Sequence, residues 1–246
     1  MNIAVAATPA AIDMAADIVL LPGRAAFLPA TRTLLVADVH LGKAATFRAA
    51  GMPVPEGSAQ ADLARLVSLV ADTTAARLIV LGDLFHARRG ATEQVFAEFA
   101  AARASFAATE VILVAGNHDR SVGSLPPSLG IDSLMRTHDE PPFHFVHDPA
   151  VELSETWRKA EFTIGGHLHP TVSITAPGGD RVAERCFVAE SGVLVLPAFG
   201  SFTGGHRVEP APGMRLWIAR DDGVVDVTRL AHLAADSGAT RSANPP

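Results

Sequence analysis

With 246 residues, the chain is long for one average domain but within the range of a single α/β unit with a large core. Hydrophobic residues account for 48% of it, which excludes a disordered protein, and no apolar run reaches the ~20 residues that a membrane span needs. The net charge of −6 argues against a protein that coats nucleic acid through a broad basic face. Bound divalent cations would reverse that charge locally, so a phosphate site remains compatible with this composition.

The N-terminal region has no basic stretch before its first apolar run at 18–21, so a secretory signal is not expected. The single cysteine, Cys186, can form neither an internal disulfide nor a cysteine zinc cluster, which fits a reducing compartment. We therefore expect a cytoplasmic protein without a membrane partner. One domain is predicted over residues 1–233, and residues 234–246, which lack apolar periodicity, are predicted to form a flexible tail.

The first half of the chain alternates between strands and helices. Apolar runs typical of buried strands begin near Thr33, Leu78 and Val111. Between them, Ser58 and Thr92 can cap helices whose apolar residues recur at helical spacing. This order is that of parallel βαβ units, in which ligands collect beyond the carboxyl ends of the strands.

Polar residues follow each of these three strands: Asp38 and His40 the first, Asp83 and His86 the second, and Asn117, His118 and Asp119 the third. In extended backbone, the spacing of Asp38 and His40 places both side chains on one face, with Val39 turned into the core. Gly116 is expected to allow a sharp turn after the third strand.

The second half of the chain brings further histidines. An alternating strand from Phe143 leads to His147, and a strand from Phe162 leads through two glycines to His167 and His169. Residues 121–142 are predicted as a loop with a short ordered segment near 133–136. Further strands are predicted at 171–175, 181–188, 193–196, 214–219 and 224–230, forming a second, largely antiparallel part of the core.

Six of the ten histidines stand at strand ends beside carboxylates or glycines, a distribution that core packing does not produce: His40, His86, His118, His147, His167 and His169. Imidazole combined with carboxylate and an amide oxygen, without thiolate, suits Mn, Fe or Zn and is too rich in nitrogen for a calcium site. One ion could not use this many groups, so two are predicted.

Four segments carry a resemblance: Asp38-Val39-His40, Gly82-Asp83-Leu84-Phe85-His86, Gly116-Asn117-His118-Asp119 and Gly166-His167-Leu168-His169. In this order they resemble the signature of the calcineurin-like metallophosphoesterases. Each motif alone is weak, but the ordered set is highly specific. A narrower resemblance, to the ligase-associated DNA-damage-response metallophosphoesterases of bacteria, covers about residues 20–230 and rests on the segment 38–43, Cys186-Phe187 and the segment 196–205.

The resemblance implies an α/β four-layer sandwich, with two mixed β-sheets flanked by helices. It also implies two divalent metal ions, most often Mn²⁺, with Fe or Zn as alternatives. Carried over by residue, Asp38, His40 and His169 would hold one ion, Asn117, His147 and His167 the other, and Asp83 would bridge them. Position supports His147, because His144 alternates inside its strand and His138 lies in a polar segment.

The same resemblance makes His118 the candidate for protonating the leaving oxygen, oriented by Asp119. His86 is not needed in either coordination sphere and is predicted to contact a phosphate oxygen; the alternative is a group that only braces Asp83. Lys43, Arg88 and Arg120 are predicted to hold the substrate phosphates, together with Arg48 and Arg89. A solvated surface is the alternative for these cations.

The leading prediction for the function is a metal-dependent endonuclease that hydrolyses phosphodiester bonds in DNA, with single strands favoured, during repair. The DNA assignment, and an association with an ATP-dependent DNA ligase, a helicase and an exonuclease, come from the resemblance alone. A phosphomonoesterase or small-nucleotide phosphodiesterase could use the same site. A non-catalytic protein-binding scaffold is disfavoured, because every ligand position of the signature is retained.

Overall fold

The computed structural model of the chain describes residues 10–13, 17–54, 57–152, 161–175, 181–220 and 222–233. Two mixed β-sheets face each other in it, with helices against their outer faces, which confirms the predicted α/β fold. The tail predicted at 234–246 lies outside the described residues. None of the helices in the described ranges is long and apolar enough to cross a membrane.

The first sheet has seven strands whose order in space follows the chain. They are β1 (Ala10–Asp13), β2 (Asp17–Leu21), β3 (Ala25–Leu28), β4 (Thr33–Ala37), β5 (Arg77–Leu81), β6 (Glu110–Val114) and β7 (Ser133–Met135). Neighbours from β1 to β4 are antiparallel, and neighbours from β4 to β7 are parallel. The parallel half is the βαβ pattern predicted from the sequence.

The second sheet combines both pairing modes. Its strands are β8 (His138–Glu140), β9 (Phe143–Phe145), β10 (Phe162–Gly165), β11 (Pro170–Thr175), β12 (Arg181–Glu190), β13 (Val193–Val195), β14 (His206–Arg207), β15 (Arg215–Ala219) and β16 (Val224–Asp226). Their order is β14-β11-β12-β13-β10-β9-β8, with β15 beside β12 and β16 beside β15. The parallel neighbours β9, β10 and β13 form the part that approaches the polar clusters.

The helices are α1 (Lys43–Ala49), α2 (Ser58–Thr73), α3 (Glu93–Ala104), α4 (Asn117–Val122) and α5 (Pro149–Glu152), with a 3-10 turn at Pro127–Leu129. Thr92 caps α3 as predicted, since its side chain accepts a hydrogen bond from Val95 N at 3.3 Å. Ser58 does not cap α2. The helix begins at Ser58 itself, and the cap position is Gly57 in the left-handed conformation.

The space between the two sheets is filled by one hydrophobic core. Leu35 and Ile79 of the first sheet pack there together with Phe187 and Trp217 of the second, and all four side chains are buried. Because side chains alternate along a strand, the neighbours Leu34 and Leu78 face the other way. They pack with Leu66 of α2 and Phe99 of α3 in a second cluster. Both faces of β4 and β5 are thus covered, which explains their unbroken apolar sequence.

The fourth layer covers the outer face of the second sheet. Residues 228–233 are helical, and Ala231 belongs to the cluster that contains Val188 of β12. The strand predicted over 224–230 is therefore wrong at its end. β16 stops at Asp226, whose carboxylate accepts a hydrogen bond from Thr228 N at 2.9 Å and turns the chain into the helix.

Candidate metal centre and active site

Both sheets deliver the ends of their strands to one place. Ala37, Leu81 and Val114 are register partners at the ends of β4, β5 and β6, so the residues that follow them share one edge. From the second sheet, the loop after β9 joins the loop after β10, where Gly166 N donates to His147 O at 2.9 Å. The four polar segments found in the sequence therefore converge.

The backbone at this edge adopts a conformation that side chains other than glycine rarely take. The φ angles are 54° at Asp38, 52° at His40, 49° at Asp83, 69° at His167 and 47° at His169. The prediction of extended backbone at Asp38 and His40 is wrong, because β4 ends before these residues. Left-handed residues of this kind cost on the order of 1–3 kcal/mol each and concentrate at functional sites, where the surrounding structure enforces them.

Three donors lie together on one side of the site. His40 Nε2 is 3.2 Å from His169 Nε2, and His169 Nε2 is 3.4 Å from Asp38 Oδ1. These three residues each offer a ligand atom within 4.8 Å of the others, a spacing that one ion can span. They are the residues predicted for the first metal.

A second set lies next to it. His147 Nε2 is 3.0 Å from both Asn117 Oδ1 and His167 Nδ1. The carbonyl of Leu81 lies 3.3 Å from His147 Nδ1 and can only accept, so Nδ1 carries the hydrogen and Nε2 presents a lone pair. His167 Nε2 is 3.5 Å from Asp148 Oδ2, a contact that orients Nδ1 towards the set and that the sequence reasoning missed.

Asp83 lies between the two sets. Its Oδ2 is 3.8 Å from His40 Nε2 and 3.6 Å from His147 Nε2, one imidazole from each set. Its Oδ1 accepts a hydrogen bond from His118 N at 2.9 Å, which fixes the carboxylate in this position. Asp83 Oδ2 is thus within 4 Å of an imidazole from each set.

The donors fit the divalent metals that the sequence predicts. Asp38 is fully buried and its Oδ2 accepts a hydrogen bond from His167 N at 2.8 Å, whereas Oδ1 has no hydrogen-bond partner among the described residues. A buried carboxylate oxygen without a partner is costly, and a cation would satisfy it. Because the set offers oxygen and nitrogen but no sulfur, it suits Mn, Fe or Zn.

Two glycines allow the chain to come this close. A Cβ at Gly82 would lie 1.9 Å from His147 Nδ1, and a Cβ at Gly116 would lie 2.1 Å from Asp83 Oδ1. Gly82 also has a φ of 78°, whereas Gly116 has a φ of −78° that any residue adopts. The expected sharp turn is therefore not the reason for Gly116; the reason is the approach of its backbone to Asp83.

Burial shifts the ionisation of the candidate ligands. Desolvation, followed by the charges of His169 and Lys43, lowers the pKa of His40 to about 2, so its imidazole is neutral as metal binding requires. Desolvation raises the pKa of Asp83, while the charge of His147 lowers it. A desolvated carboxylate gains strongly from a nearby cation, so both shifts favour metal binding at this edge.

His86 and His118 stand beside the first donor set. His86 Nδ1 is 3.4 Å from His40 Nδ1, and the ligand atoms of His40, His86 and His118 lie within 4.8 Å of one another. Burial, with Lys43 and His118 as further causes, lowers the pKa of His86 to about 4. His86 is therefore neutral near pH 7 and can donate a hydrogen bond only as a neutral imidazole, not as a cation.

Asp119 has a different environment from the one predicted. Its Oδ1 accepts from Phe85 N and its Oδ2 from Gly116 N, both at 3.0 Å, and the side chain is buried. Burial raises its pKa to about 6, against these hydrogen bonds. Both oxygens thus tie the start of α4 to the loop after β5. Asp119 fixes the backbone that carries His118, and its hydrogen bonds among the described residues go to backbone N–H groups and not to the His118 ring.

The predicted phosphate-binding cations differ in their burial. Lys43 begins α1 and is partly buried; burial lowers its pKa and the charge of Asp38 raises it. Arg120 is exposed and donates from Nη1 to Ala115 O at 3.1 Å. Exposed positions on the rim loops and on α1 hold Arg48, Arg88 and Arg89. Lys43 is therefore the cation that shares its surroundings with the carboxylates.

Matches to this chain occur among protein families and among solved structures. Residues 31–192 match the calcineurin-like phosphoesterase family. Among solved structures, the Pseudomonas putida nuclease MPE is 35% identical, with a TM-score of 0.73, over 89% of this chain and 98% of the nuclease. YfcE, a phosphoesterase from E. coli, is 15% identical with a TM-score of 0.41, over 78% of this chain and 96% of its own.

The comparison with curated proteins gives no match. The family match covers the segments from Asp38 to His169 in which the resemblance was found, and the identity with a bacterial nuclease accords with the narrower resemblance. On these grounds, the chain belongs to the calcineurin-like phosphoesterase family.

Proposed function

We propose that this phosphoesterase is a two-metal endonuclease that hydrolyses phosphodiester bonds in DNA. The observation that carries the proposal is the position of Asp83 Oδ2, 3.8 Å from an imidazole of one donor set and 3.6 Å from an imidazole of the other. The preference for a diester in nucleic acid is supported by the likeness to a bacterial nuclease over 89% of the chain. Mn²⁺ is the proposed ion, because the donors do not select zinc through sulfur.

In this proposal, each donor set would hold one ion, and Asp83 would be a ligand available to both. The first set is Asp38, His40 and His169, and the second is Asn117, His147 and His167. Two bound divalent ions supply the activation of a water molecule and the neutralisation of the phosphate oxygens. Asp83 and Asp38 each accept a hydrogen bond from a backbone N–H group through one carboxylate oxygen. The other oxygen of each carboxylate is therefore held in position before an ion binds, so binding requires little reorganisation.

In this proposal, the two histidines outside the ligand sets, His86 and His118, donate hydrogen bonds and protons to the substrate. If His40 ligates through Nε2, its Nδ1 carries a hydrogen and donates to His86 Nδ1, 3.4 Å away. The remaining hydrogen of His86 then lies on Nε2, where it can be donated to a phosphate oxygen. We assign to His118 the protonation of the leaving oxygen when the P–O bond breaks, and to Asp119 the positioning of the backbone that carries it.

Substrate phosphates outside the reacting group would bind the cations of the rim. Lys43 supports this proposal because the charges of Asp38 and Asp83 act on its pKa, while Arg88 and Arg120 are exposed. The proposal also includes a role in DNA repair within the cytoplasm, alongside an ATP-dependent ligase, a helicase and an exonuclease. That context rests on the sequence resemblance, and the single domain proposed over residues 1–233 rests on the length and apolar periodicity of the chain.

One assay separates the proposed function from its competitors. Purified protein, stripped of metal and reloaded with Mn²⁺, is incubated with circular single-stranded DNA, with duplex DNA and with a simple phosphomonoester. Cleavage of the closed circle is expected, because only an endonuclease can cut a strand without ends. Hydrolysis of the monoester alone would establish the phosphomonoesterase instead, and the absence of all three activities would leave a binding scaffold.

A further inference from the structure

Two phenylalanine rings stand beside the candidate catalytic histidines without belonging to the core. Phe47 lies on α1 and Phe202 on the loop after β13, and both are partly exposed. Their rings meet edge to face, with centroids 5.4 Å apart and planes at 85°. The Phe47 ring is 6.2 Å from the ring of His86. Neither phenylalanine is a member of the hydrophobic clusters formed by the described residues.

The loop that carries Phe202 is rigidly fixed on both sides of the ring. Asp62 of α2 is buried, and its carboxylate accepts from Ser201 N at 2.7 Å and from Ser201 Oγ at 2.5 Å. Arg185 Nη2 donates to the carbonyls of Ser201 and Thr203, at 2.8 and 3.1 Å. The residues before and after Phe202 are therefore anchored, so the ring is presented without a large entropic cost on binding.

Positive charge flanks the pair. Lys43 lies one helical turn before Phe47 on α1. Arg185 donates hydrogen bonds to the loop of Phe202, and its charge is near enough to lower the pKa of Lys43. Aromatic faces beside a cationic track are the combination by which proteins hold single-stranded nucleic acids, with bases on the rings and phosphates on the cations. An aromatic pair that served only to close the core would need neither exposure nor this charge.

We propose that Phe47 and Phe202 form a stacking platform for an unpaired base next to the scissile phosphate, an inference that rests on the proposed nuclease function. A base in a duplex is already paired and stacked, so it reaches the platform only after it has been unstacked at a cost in free energy. The platform thus makes the enzyme select single strands over duplexes. It requires a base but no particular base, because every base has an aromatic face.

The first test uses the wild-type protein. Oligonucleotides in which single bases near the cut are replaced by a tetrahydrofuran abasic analogue are compared with the intact strand. Loss of the stacked base is expected to weaken cleavage at low substrate concentration by about 5- to 150-fold, the range found when base stacking is removed. Equal cleavage of intact and fully base-free strands would overturn the platform, and this result does not depend on any variant that has to fold.

The second test uses variants. Phe47→Leu and Phe202→Leu are expected to lose the same factor on the intact strand and nothing on the base-free strand. Phe162→Leu is the matched control, because Phe162 forms a partly exposed ring pair with Phe143, with centroids 6.2 Å apart, at the starts of β9 and β10, away from the site. If a Leu variant cleaves the intact and the base-free strand with equal impairment, the rings serve only the folded structure, and the proposal is wrong.

Binding separates this inference from the proposed function. Fluorescence anisotropy with metal-free protein measures the affinity for the intact and base-free strands without any cleavage. If no strand is cut but the intact strand still binds more tightly by the expected factor, the nuclease function is wrong, and the two rings bind an unpaired base without a scissile phosphate beside it. If strands are cut but affinity and cleavage are the same for intact and base-free strands, the nuclease function stands and the platform is wrong.

Discussion

The imidazoles of His86 and His118 lie almost parallel, with ring centroids 4.9 Å apart and planes at 24°. His86 follows β5, whereas His118 lies at the start of α4, so two separate loops build this stack. Both rings also lie about 5 Å from the ring of His40, at 5.3 and 5.2 Å. His86 can therefore act either on the substrate or as a support for His40, and the two roles predict different behaviour.

His86→Ala tests these roles directly. If His86 donates to a phosphate oxygen in the transition state, the variant keeps both metals but loses diester hydrolysis by roughly the 10²–10³-fold typical of a removed donor. Metal content by mass spectrometry and turnover of single-stranded DNA are measured together. His206→Ala, at an exposed position of β14, serves as the control. Parallel loss of metal and activity would make His86 a support for His40.

The second prediction separates two buried histidines three positions apart in the same region. His147 Nε2 faces the second donor set, whereas His144 lies inside β9 with Nδ1 hydrogen-bonded to Asp139. His147→Ala is expected to bind roughly one ion fewer than wild type after loading with Mn²⁺, and His144→Ala the full complement. Equal metal content in the two variants would remove His147 from the site.

The sequence identified the donors because they follow apolar runs, and such runs end at the same edge of a parallel sheet. The same reasoning failed where a residue's task depends on contacts between distant segments. Asp119 stands next to His118 in sequence, yet its carboxylate binds the N–H of Phe85 from another loop. No local pattern indicates that Gly116 must clear space for Asp83, because that contact exists only after β5 and β6 have paired.

The sequence patterns do not predict α1 or β8, for a related reason. The short helix α1 begins at Lys43 and carries no acidic residue in its first turn, so the usual signals of a helix start are absent. No sequence pattern therefore indicates a site at Phe47, although α1 brings its ring to Phe202, more than 150 positions later. The polar strand β8 was predicted as loop, because it forms through pairing with β9 and not through an apolar pattern of its own.

Gly116→Ala is expected to damage the site without filling any cavity. The added Cβ would lie 2.1 Å from Asp83 Oδ1, so the carboxylate or the start of α4 must move. We expect at least a tenfold loss of metal affinity, the scale seen when groups that orient ligands are altered. Gly204→Ala is the matched control, since nothing lies within 4 Å of its Cβ position. Unchanged affinity in Gly116→Ala would show that Asp83 tolerates displacement.

Removal of metal is expected to abolish hydrolysis and to lower stability. Asp38 Oδ1 is buried without a hydrogen-bond partner among the described residues, so an ion satisfies a group that otherwise destabilises the fold. Dialysis against a chelator should therefore reduce turnover to background and lower the Tm, and Mn²⁺ should restore both. Full turnover by protein in which no metal is detected would contradict the two-metal mechanism.

The last prediction concerns the pH dependence of stability in the metal-free protein. The pKa of His40 is lowered from 6.5 to about 2, mainly by burial, so the folded state leaves His40 neutral where the unfolded state already binds a proton. With respect to His40, the free energy of unfolding is highest above pH 6.5. It falls as the pH decreases from 6.5 towards 2, by at most about 1.4 kcal/mol per pH unit. Asp119 acts in the opposite direction, because its pKa is raised from 3.8 to about 6 and its folded state gains stability from protonation as the pH falls through that window.

A comparison with His40→Asn isolates the histidine, because Asp119 is present in both proteins and its effect cancels. Urea unfolding with a chelator at pH 7.5 and pH 5 gives the free energy of unfolding of each protein. The wild type should lose about 2 kcal/mol more than the variant between these two values, which is the slope above applied from pH 6.5 to 5. Parallel pH profiles would mean that His40 takes up its proton in the folded state near its ordinary pKa, and that burial does not keep this ligand neutral.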